Sequence, residues 1–187
     1  MDSKHLNGKI VLITGGTGTF GTAMTRYLLN STKVKRVIVF SRDEYKQSQM
    51  AHQFGNDERL VFFLGDIRNA ARLHRAFSNV DIVIHAAALK QVPALEFNPT
   101  EAIDTNITGT KNVIDAALDR NVERLLVISS DKAVQPVNLY GASKMCAERL
   151  AVASNAYRGK NANTIISVVR YGNVIGSRGS LIELIEK

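Results

Sequence analysis

Short apolar segments rich in Val, Ile and Leu recur along the chain and alternate with longer stretches in which apolar and polar residues are mixed. Segments of this length and composition are typical of strands that are buried on both faces. Six of them predict strands, at residues 9–15, 36–42, 59–66, 81–88, 122–130 and 163–173. Three of the mixed stretches predict helices, at residues 19–30, 99–120 and 138–158.

Apolar strands separated by helices indicate a parallel sheet that is covered on both faces. The predicted fold class is therefore α/β, a doubly wound, Rossmann-like sheet in three layers (α/β/α). The length of 187 residues suits one such domain. Ligands of these sheets bind at the carboxyl ends of the strands, near the point where the strand order reverses.

A glycine-rich turn follows the first predicted strand, in VLITGGTGTFGTAM. Gly16-x-Gly18-x-x-Gly21 fits the dinucleotide-binding pattern, and so does Gly15-x-x-Gly18-x-x-Gly21. Glycines there allow a tight turn and let the backbone approach a pyrophosphate, which the next helix N-terminus attracts. A plain tight turn is the alternative. The predicted cofactor contacts in this turn are Gly15, Gly18, Thr19, Phe20 and Gly21.

The end of the second strand bears on which nicotinamide cofactor is bound. NAD-selective sites usually carry an acidic residue there, whereas this chain has Ser41 and Arg42, followed by Asp43 and Lys46. Ser and Arg can hold the 2′-phosphate of NADP through charge-assisted hydrogen bonds, and Lys46 adds a second cation. We therefore predict NADP rather than NAD. The alternative is that Arg42 is a solvated surface charge.

Residues after the third and fourth strands complete the predicted cofactor site. Asp66 and Ile67 stand where the adenine is normally flanked. The small residues Ala86 and Ala88 leave room for the cofactor. His85, at the end of the fourth strand, is expected to be a structural residue rather than a catalyst.

Tyr140 and Lys144 are four residues apart in a predicted helix and therefore share a face. A nearby ammonium lowers the pKa of a tyrosine hydroxyl, so that the phenolate can take a proton from a sugar hydroxyl while hydride leaves for the nicotinamide. Lys144 can also hold the nicotinamide ribose, and Ser130 can bind the same sugar hydroxyl. Asp131 and Lys132, directly behind Ser130, are an acid and a base that a simple dehydrogenase does not need.

The chain has a net charge of +7, from 24 Lys and Arg residues against 17 Asp and Glu. Nucleic-acid-binding proteins have such a balance, but the basic clusters are short, as in KVKR at 33–36, and aromatic residues make up only 6%. We interpret the charge as a generally basic surface and predict no nucleic-acid partner. A cationic cleft for a phosphorylated ligand is the alternative.

No apolar run reaches 18 residues, and the first ten residues lack the apolar core of a signal peptide. The single cysteine, Cys146, cannot form an internal disulfide. These features predict a cytoplasmic protein without a membrane partner. No metal site is predicted.

The motifs together resemble the extended short-chain dehydrogenase/reductase superfamily and, within it, the inverting UDP-N-acetylglucosamine 4,6-dehydratases. The resemblance covers essentially all 187 residues. It rests on TGGTGTFG, FSRDEYKQSQM, GDIR, HAAALKQVPALEFNP, TNITGTKNV, SSDKAVQPVNLYGASK and VVRYGNVIGSRGS. Ser130 departs mildly from the family pattern, which usually has Thr there.

The resemblance implies oxidation of the sugar at C4, loss of water across C5 and C6, and return of the hydride to C6. It implies that Asp131 is the acid and Lys132 the base that takes the C5 proton. Inverting members also change the C5 configuration, which gives a precursor of pseudaminic acid, and Tyr140 points to this type. By the same resemblance, the residues that contact the UDP-sugar substrate are Lys90, Asn173 and Arg178.

Family members run to roughly twice this length, so the resemblance implies that residues 1–187 are the NADP-binding Rossmann-like domain and that a C-terminal substrate-binding portion is absent. A homo-oligomer is expected of the full-length protein. Two alternatives stay open. One is an NADP-dependent epimerase or reductase that acts on another sugar nucleotide, and the other is a non-catalytic NADP-binding module.

Overall fold

The computed structural model describes residues 4–55, 57–157 and 163–174. A short 3₁₀ turn, Lys4–Leu6, precedes the first strand. The strands of this part of the chain are β1 (Ile10–Thr14), β2 (Arg36–Ser41), β3 (Leu60–Leu64), β4 (Ile82–His85), β5 (Arg124–Ser130) and β6 (Ile165–Tyr171). They form one parallel sheet in the order β3-β2-β1-β4-β5-β6. The predicted doubly wound α/β fold is confirmed.

The described helices are α1 (Thr19–Ser31), α2 (Glu44–Gln53), α3 (Ala70–Ala76), α4 (Val92–Phe97), α5 (Pro99–Ala102), α6 (Gly109–Asp119) and α7 (Leu139–Tyr157). A π-helical segment, Ile103–Thr108, joins α5 to α6, and a 3₁₀ turn, Asp131–Ala133, follows β5. The helix predicted over 99–120 is therefore present as one uninterrupted helical stretch, but its middle is π-helical and its two ends are α-helical. Helices α2, α3 and α4 were not predicted from the sequence.

The core lies on both faces of the central strands, because successive strand residues point to opposite sides of the sheet. On one face, Leu12 packs with Leu73 of α3, with Phe77 directly after that helix, and with residues of α6 and α7. On the other face, Ile13 packs with Leu28 of α1. Burying each large apolar side chain of this kind stabilises the fold by about 1.5–3 kcal/mol.

The two outer strands depart from the expectation of strands buried on both faces. The residues of β3 are only partly buried, and Leu64 is exposed. In β6 only Ile166 is buried. Within the described residues each of these strands is an edge strand that pairs with only one other strand. Fewer neighbouring elements therefore shield its side chains from solvent. Among those same residues, no helix is long and apolar enough to cross a membrane.

The strand order reverses between β1 and β4. The chain steps outward from β1 to β3, then crosses to the other side of β1 for β4. Thr14 pairs with His85 at the carboxyl ends of β1 and β4, and Ser130 pairs with Tyr171 at the ends of β5 and β6. The residues that follow these strands are therefore brought to one edge of the sheet.

Candidate functional site

A cleft of about 880 Å³ opens at this carboxyl edge. It brings together most of the residues predicted for cofactor, substrate and chemistry. Asp131 and Lys144 are not part of its lining but lie next to it, as described below. Arg178 lies outside the described residues. The predicted residues that line the cleft are Gly15, Gly18, Thr19, Phe20, Gly21, Ser41, Arg42, Asp43, Lys46, Asp66, Ile67, Ala86, Ala88, Lys90, Ser130, Lys132, Tyr140 and Asn173.

The glycine turn between β1 and α1 needs glycine for two separate reasons. Gly15 has a φ of +67°, and a Cβ there would lie 2.8 Å from Cα of Ala87. A Cβ on Gly21 would lie 2.5 Å from Cα of Gly16, so α1 packs directly on the turn. Gly18 is the N-cap of α1 and makes no side-chain cap. Because glycine has no side chain to cap the helix, the first backbone N–H groups of α1 stay available to bind an anion such as a pyrophosphate.

His85 is held in a buried chain of hydrogen bonds beside this turn. It is 1% exposed, its Nδ1 lies 2.7 Å from Oγ1 of Thr14, and its Nε2 lies 3.0 Å from Oγ1 of Thr110. Burial, with a smaller effect of the Lys144 charge, lowers the pKa of His85 to about 3. His85 is therefore neutral and serves the structure, joining β1 and β4 to α6.

The far end of the cleft holds a cluster of charged residues after β2 and β3. Asp43 caps α2 by accepting from the Lys46 amide at 3.0 Å and pairs with Lys46 Nζ at 2.7 Å, contacts that lower its pKa. Burial acts to raise the pKa of Asp66, but hydrogen bonds from Arg68, 2.8 Å away, leave it lowered. Arg42 lies 3.8 Å from Asp66 and its side chain is 55% exposed. Arg42 is thus the most loosely paired of these three cations.

Ser41 ends β2 and is only 8% exposed. Its Oγ accepts a hydrogen bond of 3.0 Å from Nε2 of Gln47, which also donates to the carbonyl groups of Ser41 and Phe63. A serine hydroxyl that accepts one hydrogen bond can still donate one, so Ser41 remains able to bind a ligand oxygen. Gln47, which joins the ends of β2 and β3, was not predicted from the sequence.

The turn after β5 carries the proposed acid and base. Ser130 Oγ donates to Oδ1 of Asp131 at 2.9 Å and accepts from the Lys132 amide at 3.2 Å. Lys132 Nζ lies 3.0 Å from Oδ1 of Asp131 and 3.0 Å from Oδ1 of Asn173. Hydrogen bonds from Lys132 and Ser130 lower the pKa of Asp131. The two side chains are therefore an ion pair at neutral pH, held in place by Asn173 from the end of β6.

Helix α7 begins directly against this turn. A Cβ on Gly141 would overlap the carbonyl oxygen of Lys132, so only glycine permits this approach. Tyr140 is half-buried in the cleft, whereas Lys144 is 4% exposed and its Nζ donates to the Ile128 carbonyl at 2.7 Å. Burial lowers the pKa of Lys144 to about 8, and the charge of Glu148 opposes this shift.

The environment of Tyr140 differs from the sequence-based expectation. Burial raises its pKa, the Asp131 charge raises it further, and only a hydrogen bond with Ser130 lowers it. The expected lowering by Lys144 is wrong for this arrangement, because the Lys144 ammonium is directed at a backbone carbonyl of β5. Tyr140 is therefore a neutral phenol here.

Asn106 connects three parts of the site from within the π-helical segment. It is 1% exposed. Its Oδ1 accepts from the Leu89 amide at 2.8 Å, and its Nδ2 donates to the Leu89 carbonyl at 2.9 Å and to Oγ of Ser143 at 3.0 Å. Asn106 thus ties the loop that carries Lys90 to the helix that carries Lys144.

Three further residues were missed. Tyr171, at the end of β6, lines the cleft and stacks on Phe20, with 6.3 Å between ring centroids. Glu148, on α7, forms a two-pronged ion pair with Arg170 of β6, at 2.8 Å and 2.6 Å. The four-residue spacing from Lys144 was a local signal for Glu148. For Tyr171 and Arg170 the only signal was their place near the end of a predicted strand.

Known proteins with similar sequences include enzymes that act on sugar nucleotides. The chain matches the model of a family described as polysaccharide biosynthesis protein over residues 11–187. It is 50% identical to the inverting UDP-N-acetylglucosamine 4,6-dehydratase of Campylobacter jejuni subsp. jejuni serotype O:23/36 (strain 81-176), over 97% of this chain and 54% of that protein. It is 47% identical to a UDP-glucose 4-epimerase of Rickettsia rickettsii (strain Sheila Smith), over 94% of this chain and 52% of that protein.

The chain therefore spans about half the length of the curated relatives it matches. The resemblance to inverting UDP-N-acetylglucosamine 4,6-dehydratases, predicted from the motifs, is confirmed.

Solved structures show the same fold. The X-ray structure of Pen from Bacillus thuringiensis has a TM-score of 0.92 and 45% identity, and the match covers 97% of this chain and 55% of that one. DesIV, a dTDP-glucose 4,6-dehydratase from Streptomyces venezuelae solved with NAD and DAU bound, has a TM-score of 0.76 and 27% identity, over 86% of this chain and 54% of that one.

Proposed function

Because this chain belongs to the polysaccharide biosynthesis protein family, we propose that it is the cofactor-binding part of an NADP-dependent UDP-N-acetylglucosamine 4,6-dehydratase of the inverting type. The observation that carries this proposal is the Asp131–Lys132 ion pair, which is hydrogen-bonded to Ser130 and whose Lys132 lines the same cleft as Tyr140. The 50% identity to an inverting dehydratase supports it. The half of the relatives that this chain does not span would supply the rest of the substrate site.

The first step is oxidation at C4 of the sugar. The nicotinamide, when bound, supplies the acceptor for the C4 hydride. Tyr140, once it has lost its own proton to solvent, takes the proton of the C4 hydroxyl as a phenolate, and Ser130, which lines the same cleft, orients that hydroxyl. Lys144 stabilises the Tyr140 phenolate before this transfer. Since Lys144 Nζ is now directed at the Ile128 carbonyl, its support of the phenolate requires a small change of side-chain direction.

The second step is the loss of water, and it explains the Asp131–Lys132 pair. A C4 ketone acidifies the C5 proton, so a neutral Lys132 amine can remove it while a protonated Asp131 gives its proton to the departing C6 hydroxyl. In the structure the pair has the opposite protonation, with an ammonium on Lys132 and a carboxylate on Asp131. Moving one proton along the 3.0 Å contact from Nζ to Oδ1 converts the ion pair into an amine and a carboxylic acid. Substrate that excludes water from the cleft favours this neutral form, because burial disfavours charges.

The preference for NADP rests on Arg42. The cleft-lining acids Asp43 and Asp66 are each closely paired with another cation, so Arg42 is available for the 2′-phosphate, with Ser41 as a neutral donor. Lys46 is engaged with Asp43, and we therefore place less of the selectivity on it than the sequence suggested. DesIV was solved with NAD, which supports a nicotinamide cofactor here.

The proposal extends to the substrate and to the full-length protein. Lys90 is exposed at the mouth of the cleft and Asn173 lies beside Lys132, positions suited to contact with a UDP-sugar. We propose that the C4 hydride then returns to C6 and a proton returns to C5 on the opposite face, so that the product is the C5-inverted 4-keto-6-deoxy sugar of pseudaminic acid synthesis. We also propose that the full-length protein is a cytoplasmic homo-oligomer.

A sugar-nucleotide 4-epimerase is the second candidate, since the Rickettsia relative carries that name. An epimerase needs Ser130, Tyr140 and Lys144 but leaves Asp131 and Lys132 without a proton to transfer. Liquid chromatography that resolves the 4-epimers, followed by mass spectrometry, of UDP-N-acetylglucosamine incubated with the chain and NADP separates the two. Loss of one water supports the dehydratase, an isomer of unchanged mass supports the epimerase, and unaltered substrate contradicts both for this chain.

A further inference from the structure

Helix α7 carries a buried carboxylate that the proposed reaction does not use. Glu148 is 7% exposed and lies four residues after Lys144, itself 4% exposed. Residues four apart on a helix share a face. A buried charge is strongly unfavourable unless it is paired, so both side chains need a partner within the fold.

Arg170 is the partner of Glu148. Its Nε donates to Oε1 at 2.8 Å and its Nη2 donates to Oε2 at 2.6 Å, which is the two-pronged geometry of the stronger ion pairs. Half of the Arg170 side chain is exposed, whereas the Glu148 side chain is 9% exposed. The carboxylate is therefore paired with an arginine that reaches solvent, and it shares a helix face with a lysine that does not.

We propose that Glu148 is a positioning residue that keeps Lys144 protonated for its work beside Tyr140, and that Arg170 limits how strongly it does so. This inference rests on the proposed function, in which Lys144 must be a cation when Tyr140 gives up its proton.

The neighbouring titratable groups support this assignment. Burial lowers the pKa of Lys144 to about 8, and the Glu148 charge opposes that shift. His85 of β4 is neutral in the pH range where Lys144 titrates, since the pKa of His85 is lowered to about 3. Burial raises the pKa of Tyr140 on α7 and of Tyr171 on β6, so both are neutral phenols. The Arg170 hydrogen bond lowers the pKa of Glu148 and keeps it ionised.

The two partners of this arrangement should act in opposite directions. Glu148→Gln removes the attraction and exposes Lys144 to the uncompensated Arg170 charge, so the pKa of Lys144 should fall by about one pH unit, the lower end of the effect of a nearby charge. Arg170→Met leaves Glu148 with Lys144 as its cation, so the pKa of Lys144 should rise by about the same amount. Loss of packing alone would raise the pKa of Lys144 in both variants, because hydration favours the charged form.

The test is a carbon-13 NMR titration of the chain labelled at the lysine Cε atoms, with the Lys144 signal identified by Lys144→Arg. Glu123→Gln is the matched control. It removes the same charge, but Glu123 pairs with Lys9 at the opposite end of β5 and is half exposed. Opposite shifts in Glu148→Gln and Arg170→Met, with no shift in the control, are expected. An unchanged Lys144 titration in Arg170→Met overturns the proposal, and this variant decides alone if Glu148→Gln does not fold.

A second readout joins the inference to the reaction. Formation of reduced nicotinamide should fall as the pH rises through the pKa of Lys144, because the cation is then lost. That falling limb should move to lower pH in Glu148→Gln and to higher pH in Arg170→Met. If the parent chain forms neither reduced nicotinamide nor product, the proposed function fails for this chain, whereas the NMR titration still decides the role of Glu148.

Discussion

Arg42→Ala should separate the two nicotinamide cofactors. The Arg42 guanidinium is half exposed and 3.8 Å from Asp66, and exposed ion pairs of this kind contribute less than about 1 kcal/mol. Its removal should therefore leave the fold intact. A hydrogen bond to a charged group contributes about 1.5–3 kcal/mol. Since about 1.4 kcal/mol is a factor of ten in Kd, NADP should bind roughly ten- to a hundredfold more weakly and NAD nearly as before.

Isothermal titration calorimetry of the parent chain and the variant with each cofactor measures this difference. Arg75→Ala is a suitable control, because Arg75 is an exposed arginine of α3 that does not line the cleft. Equal weakening of NADP and NAD by Arg42→Ala would refute the assignment of Arg42 to the 2′-phosphate. No weakening of either would leave Arg42 as a solvated surface charge.

Three further predictions concern the chemistry, the packing and the pH dependence of stability. Lys132→Ala should abolish loss of water, measured by mass spectrometry, while NADP binding stays within about twofold; turnover at the parent's rate would show that the base lies elsewhere. Gly141→Ala should slow the elimination and destabilise the fold by about 1–3 kcal/mol, the usual effect of overpacking, because its Cβ would overlap the Lys132 carbonyl; an unchanged melting temperature would contradict this packing. His85 has a folded pKa of about 3, below its unfolded value of 6.5, so the unfolded state binds the proton first and stability should fall by up to about 1.4 kcal/mol per pH unit as the pH drops from 6.5 towards 3. Denaturant titrations of the parent and His85→Gln check this, and equal pH slopes in the two proteins would argue against a neutral buried His85.

The sheet and its glycine turn could be predicted because their signals are local. Each central strand is a continuous apolar run, and the glycine spacing is readable within seven residues. Helix α2 could not be predicted in the same way, since its only buried residues are Gln47 and Met50 and it has no apolar stripe. Its capping residue, Asp43, was a signal for its start that the sequence analysis used for the cofactor instead.

Most residues of the candidate site could be predicted from the sequence, but the contacts that their side chains make could not. Ser130, Asp131, Lys132, Tyr140 and Lys144 lie close together in the sequence, so their proximity followed from one strand, one turn and one helix. The direction of the Lys144 ammonium did not follow. Helical spacing shows which face a side chain is on, but the partner of a buried cation depends on the strand beneath it, and here that partner is a backbone carbonyl of β5.

The remaining contacts depend on β6, which returns the chain to β5 after a long helix. Lys132 meets Asn173, 41 residues later, and Glu148 meets Arg170, 22 residues later. Both pairs exist because Ser130 lies opposite Tyr171 in the sheet register. A shift of β6 by one residue would turn its side chains to the other face, so one register places both Asn173 beside the proposed base and Arg170 beside Glu148. The two proton-transfer centres of the proposed reaction are thus coupled to the same strand, and a change in β6 should affect the oxidation and the elimination together.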